Sequence, residues 1–247
     1  MLPILYQSPE LTLYSYPLLM GLGWGIAYQI YFSLQPPHTS PLKAQILFWG
    51  IFLSAWLGAK VLFYATIPES VGQNLLQQMS FWTGGGFVFY GGFIGGLLFI
   101  SFFKLFDKQL SLKALWPMLP ALAFGHGLGR VGCFLAGCCY GKPTEFFWGV
   151  YMHDHHRHPT QLIEAVGLFS IGLFLIKSKA SKIFLIGLYL ALYGSLRFLV
   201  EVLRGDEIRG NWGYLTPSQW ISIGLIATGI TLLILHKSRQ LPEPKVK

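Results

Sequence analysis

The chain has 247 residues, 53% hydrophobic and only 11% charged, with a mean hydropathy of +0.51, whereas a soluble domain is about 25% charged. That balance excludes an ordinary soluble or disordered protein and predicts an all-α polytopic membrane protein. The formal charge of +8 does not require nucleic acid as a partner, because most basic residues fall in loops on one side of the apolar runs, where topology accounts for them.

Apolar runs of about 20 residues, the length that spans a bilayer, lie near 11–34, 43–66, 83–103, 114–136, 160–176, 183–203 and 217–236. Seven transmembrane helices put the termini on opposite sides. Outside the runs one side carries 11 Lys and Arg and the other 4, so the N-terminus is expected outside and the C-terminus in the cytoplasm. No basic n-region precedes the first run, which reads as a retained helix and not a signal peptide. No soluble domain, repeat or long linker interrupts the chain, and residues 1–247 are expected to form one integral domain.

The second run contains Lys60. In the third, TGGGFVFYGGFIGG from Thr83 to Gly96 sets Tyr90 among glycines that admit either a neighbouring helix or a lipid head group. Tyr90 is then either an interfacial anchor or part of a lined cavity. The fourth run ends in GHGLGRVGCFLAGCCYG, residues 125–141. Arg130 lies among four glycines, a poor composition for a regular helix, and this backbone is expected to bring N–H groups and the guanidinium together on a phosphate. A packing ion pair is the alternative. His126, four residues earlier, shares a helical face with Arg130, either as a buried histidine bonded to a carbonyl or as a base.

Cys133, Cys138 and Cys139 are the only cysteines. An odd number in an oxidising compartment suggests at most one disulfide, and since adjacent cysteines pair poorly, Cys133 with one of the others is the expected bond. The tract YMHDHHRH, 151–158, adds His153, His155, His156 and His158, read as solvated loop histidines; with the thiols they give only a weak zinc or copper signal.

The fifth and seventh runs open similarly, HPTQLIEA and TPSQW, with Gln161 and Gln219 near the outer mouth behind capping Pro, Ser and Thr residues. In the sixth, Tyr193, Arg197, Glu201 and Arg204 are spaced by four, four and three, which stacks them on one face. That face is either an ion-paired packing stripe or a positive site for an anionic head group. Lys60, Arg130, Arg197, Glu164 and Glu201 all lie within apolar runs, where a charge costs about 2.5–3.5 kcal/mol at a helix centre and usually faces a protein interior or aqueous cavity.

Together YSYPLLMG, GAKVLFY, FYGGFIGG, GRVGCF, RHPTQLIE, YGSLRFLVEVLR and the SQ of TPSQW, in this order and spacing, resemble the prolipoprotein diacylglyceryl transferase family of bacterial inner membranes. The resemblance implies transfer of the diacylglyceryl group of phosphatidylglycerol to the lipobox cysteine thiol of a preprolipoprotein, with release of glycerol phosphate. It implies Arg130 as the signature arginine, Arg197 and Glu201 as a sixth-helix pair, Tyr16 as a first-helix tyrosine, and Gln161 and Gln219 as helix-opening glutamines. The chain departs from the family pattern at Cys133, Ala136 and Cys138, where Asn, Asn and Glu are usual, at Tyr90 for His, at Lys60 for Arg and at Ile163 for Tyr. His126 is then the substitute base, and Tyr90 hydrogen-bonds an ester or phosphate oxygen.

The mechanism expected has Arg130 and Arg197 gripping the phosphate of a laterally entering lipid, Gln161 and Tyr16 near its glycerol, and Glu201 orienting Arg197. Tyr193, Arg204 and Gln219 complete the substrate contacts. No nucleotide, flavin or metal is required. The alternatives are a divergent member acting on another acceptor or lipid, and a non-enzymatic membrane protein binding lipid or metal through its Cys/His segment.

Overall fold

The computed structural model describes residues 1–8, 10–66, 88–108, 110, 112–205 and 212–238. Among these residues the chain forms seven α-helices: α1 (Ser15–Ser33), α2 (Pro41–Thr66), α3 (Phe89–Phe106), α4 (Met118–Ala136), α5 (Thr160–Lys177), α6 (Lys182–Leu203) and α7 (Pro217–Ser238). Each lies within a few residues of an apolar run read from the sequence. The part of the third run at 83–87 lies outside the described residues. Five stretches, matching α2, α4, α5, α6 and α7, are long and apolar enough to cross a membrane, and α3 is a shorter apolar helix. The chain is an all-α, multi-pass membrane protein.

Two short hairpins accompany the helices. β1 (Ile4–Gln7) pairs with β2 (Thr12–Tyr14), and β3 (Val150–Met152) with β4 (His155–Arg157), both antiparallel. The second hairpin turns through His153 and Asp154, both at positive φ (47° and 64°), as a two-residue turn matched to strand twist demands. The histidine tract is thus an ordered ribbon. His153 Nε2 lies 2.7 Å from the Gly137 carbonyl, and buried His158 accepts at Nδ1 from Trp148 Nε1 at 3.0 Å.

The chain divides into two compact units, residues 1–31 with 112–247, and residues 32–111. In the second, α2 and α3 pack along small residues: a Cβ on Gly58 would collide with the Gly91 carbonyl, and one on Gly95 with the Ser54 carbonyl. The described part of the third-run glycine cluster therefore serves helix approach. Lys60 is buried in this unit, and Lys43 pairs with Asp107.

In the first unit α4 packs on α5, α5 on α6 and α6 on α7, around a core of Trp116, Ala123, Ile171, Leu175, Leu185 and Tyr189. The glycines around Arg130 do not break α4, which is helical from Met118 to Ala136. A Cβ on Gly23 would stand 3.0 Å from the Gly125 carbonyl oxygen, one on Gly132 3.2 Å from Tyr16, and one on Gly127 2.5 Å from Phe169. These glycines let α1 and α5 approach α4. Their N–H groups lie within a regular helix, so the expected backbone cradle for phosphate is replaced by close helix packing. The helix ends in a Schellman motif: Gly137 at φ 75° donates to the Phe134 carbonyl and Cys138 to that of Cys133, each at 3.1 Å.

Candidate active site

Glu164, 1% exposed, lies one turn into α5 and is the centre of a polar cluster from three helices. Its Oε2 is 3.0 Å from Arg130 Nε of α4 and accepts from Arg197 Nη1 of α6 at 3.1 Å. His126 Nε2 lies 3.7 Å from Oε1. The i, i+4 spacing of His126 and Arg130 thus brings both to one carboxylate, as their shared face predicts. The His126 ring also meets the Tyr193 ring edge to face at 5.7 Å.

The two guanidiniums differ in how fully they are engaged. Arg197 donates to Glu164, to Glu201 Oε2 at 2.5 Å through Nη2, and to Ser218 Oγ at 2.8 Å through Nε. All three of its nitrogens have protein partners. Arg130 is also buried, but neither its Nε, which meets Glu164 as an ion pair without hydrogen-bond geometry, nor its Nη2 has a hydrogen-bond partner among the described residues. A buried donor left unmade costs about 1–3 kcal/mol. The expectation that both arginines face a phosphate therefore needs correction: Arg197 is occupied by protein acids, and Arg130 carries the open donor.

The opening of α5 fixes the loop after α4. Thr160 Oγ1 donates to the Cys139 carbonyl at 2.9 Å and Gln161 Nε2 to the Cys138 carbonyl at 2.6 Å, while Gln161 Oε1 is buried without a hydrogen-bond partner among the described residues. Gln219 instead closes a capping box on α7. Its Oε1 accepts from Thr216 N–H at 3.0 Å and its N–H donates to Thr216 Oγ1 at 3.3 Å. Arg204 caps the end of α6 and lies within electrostatic reach of Arg130 and Cys139. Tyr16 is half-buried on α1, beside Gly132. Tyr90 belongs to the other unit, half-buried in the first turn of α3.

All three cysteines are free thiols, contrary to the expected disulfide, and their sulfurs lie within 4.8 Å of one another. Hydrogen bonds from Cys133 and Cys138, and beyond them the guanidiniums of Arg204 and Arg130, hold the Cys139 thiol well below the usual thiol range.

A sequence profile of prolipoprotein diacylglyceryl transferase matches residues 3–235, nearly the whole chain. The chain belongs to this family. Among its relatives, a phosphatidylglycerol–prolipoprotein diacylglyceryl transferase of Clostridium tetani is 32% identical, with 97% of this chain and 100% of the relative covered. A second, numbered 2 in Clostridium perfringens, is 35% identical over 92% of each chain. One from Pseudomonas aeruginosa is 28% identical over 92% of this chain and 90% of its own length. This prolipoprotein diacylglyceryl transferase family member builds its polar centre on Glu164, an acid that stands out in the sequence only by the cost of its place in an apolar run. Glu164 draws Arg130, Arg197 and His126 together, and Ser218 and Thr160, read as caps, hold Arg197 and the cysteine loop. The cost of a buried acid was the available signal; its partners were not legible, because they come from other helices.

Proposed function

We propose that this chain transfers the diacylglyceryl group of phosphatidylglycerol to the lipobox cysteine thiol of a preprolipoprotein in a bacterial inner membrane, forming a thioether and releasing glycerol phosphate. Family membership supports the reaction class. The observation that carries the assignment of the site is the buried Arg130 guanidinium, tethered through Nε to Glu164 with Nη2 lacking a hydrogen-bond partner among the described residues. Such a planar fork is suited to a phosphate oxygen, and it stabilises the charge that develops as glycerol phosphate leaves.

On this reading Arg130 is the catalytic anion contact, with Arg204 adding positive charge nearby. Glu164, Arg197, Glu201 and Ser218 are positioning residues, since the paired side chains hold one another and orient Arg130. Gln161 presents Oε1 to a glycerol hydroxyl, and Tyr16 and Tyr193 border the lipid. His126 accepts the acceptor's proton, directly or through water. Gln219 acts by opening α7.

The test is complementation of a bacterium depleted of its own transferase, followed by mass analysis of a lipoprotein. The wild-type chain is expected to restore the diacylglyceryl thioether and Arg130→Ala to fail at equal expression. Equal rescue by Arg130→Ala would end this assignment, and stable wild-type protein without rescue would end the proposed reaction.

A further inference from the structure

The thiol cluster at the end of α4 has no part in the reaction as assigned above. Its three sulfurs, from Cys133, Cys138 and Cys139, lie within 4.8 Å of one another. Zn–S bonds of about 2.3 Å place the sulfurs of a three-thiolate site roughly 4 Å apart, so closing on an ion requires less than about an ångström of movement. No histidine or carboxylate belongs to the group among the described residues. An all-thiol donor set selects a soft or borderline ion over a hard one.

Cys138 and Cys139 are neighbours in sequence, and in that arrangement Cys139 adopts the left-handed conformation, φ 62°. A side chain there is uncommon, and the conformation costs on the order of 1 kcal/mol. The surrounding structure holds the turn in place. The carbonyls of both residues are bound by Gln161 and Thr160 at the start of α5, Cys138 N–H donates to the Cys133 carbonyl, and Gly205 N–H reaches the Tyr140 carbonyl at 3.1 Å. Hydrogen bonds that fix the ligating segment from outside are a property of metal sites. Cys138 is exposed and the other two are half-buried, so both an ion and an acceptor can reach the sulfurs.

Three ligands differ from four in consequence. A structural zinc is closed by four protein ligands, whereas a reactive one keeps a position open. We propose that Cys133, Cys138 and Cys139 bind one Zn(II) as thiolates and leave the fourth position to the sulfur of the acceptor cysteine, which the ion holds as a thiolate for alkylation. The role of the acceptor rests on the function proposed above; the metal site itself does not. When the acceptor binds, its S–H proton passes to His126, directly or through water, and leaves with glycerol phosphate. The sulfur pair then forms the C–S bond at the glyceryl carbon, the C–O bond to phosphate breaks, and its electrons leave with glycerol phosphate. Zinc stays divalent throughout. Cys133 follows Arg130 by three residues on α4 and so shares its face, which sets thiolate and phosphate contacts side by side.

Protein purified in detergent, stripped with a chelator and reloaded is expected to hold one Zn(II) per chain. Cys133→Ser, Cys138→Ser and Cys139→Ser should each retain below about a tenth of that, and His155→Ala should retain all of it. In the Co(II)-loaded wild type, the sulfur-to-cobalt absorption should change when a peptide with a single cysteine is added and not with its serine counterpart. Wild-type protein that takes up no zinc, or full retention by Cys139→Ser, overturns the site. A cobalt spectrum indifferent to the cysteine peptide overturns the open-position role. In a transfer assay the chelated wild type should lose up to about thirtyfold at pH 7, where a free thiol of pKa about 8.5 is roughly 3% ionised, and the deficit should shrink above about pH 9. Undiminished transfer by the stripped protein at pH 7 also overturns the role. Absence of transfer even from zinc-loaded protein would sink the transferase reading, while the metal and cobalt measurements would still decide the site.

Discussion

The α2–α3 pair and the α4–α5–α6 group are both helix contacts closed by glycine, yet only the second gathers an ion cluster from three helices. Gly58 and Gly91 face each other's carbonyls and Gly95 faces that of Ser54, whereas Gly125 meets the Gly23 carbonyl and Gly127 and Gly132 make room for the rings of Phe169 and Tyr16. In a bilayer, where lipid offers no hydrophobic drive for helix association, close approach and interhelical polar bonds hold helices together. Glycine runs therefore mark packing in both units. What distinguishes the candidate site is a carboxylate that three cationic or titratable side chains share.

That contrast can be broken most forcefully at Glu164. Glu164→Ala leaves two buried guanidiniums without their common partner and is expected to cost about 3–5 kcal/mol, read as a loss of folded protein in a detergent unfolding assay; a change under about 1 kcal/mol would show that the arginines do not depend on it. Arg130→Lys comes next. It keeps the charge and loses the fork, so transfer should drop by about a hundredfold while unfolding changes far less than for Glu164→Ala. If stability and transfer fall together, Arg130 belongs to packing.

The other side of the contrast is sharpened by Gly95→Leu, whose side chain would meet the Ser54 backbone. Overpacking of about 1–3 kcal/mol is expected, with transfer per folded molecule unaltered.

The positions of the helices were legible in the sequence because a span must be about 20 apolar residues long, and α5, α6 and α7 begin within a residue of where the runs do. Arg130, Arg197 and Glu201 stood out by the cost of their burial. The Arg197–Glu201 pair is legible in its i, i+4 spacing, but Glu164 as the common partner of Arg130 and Arg197 is not, since it meets them across three helices and helical spacing reports only neighbours on one helix. The state of the cysteines is hidden from the sequence for a related reason. Counting favours pairs, whereas the left-handed turn at Cys139 and the bonds from Thr160 and Gln161 gather three thiols. The hairpin at His153 and Asp154 lacks the usual Asn-Gly or Asp-Gly signal for its turn, so it too emerged only from the backbone.

The left-handed backbone at Cys139 has a practical consequence for anyone engineering the protein. Glycine is the residue that adopts this conformation most readily, so a campaign selecting only for heat resistance or yield would favour replacing Cys139 with it. Such a variant would be sturdier and would have lost a sulfur, and a screen that never measures catalysis would record the exchange as an improvement.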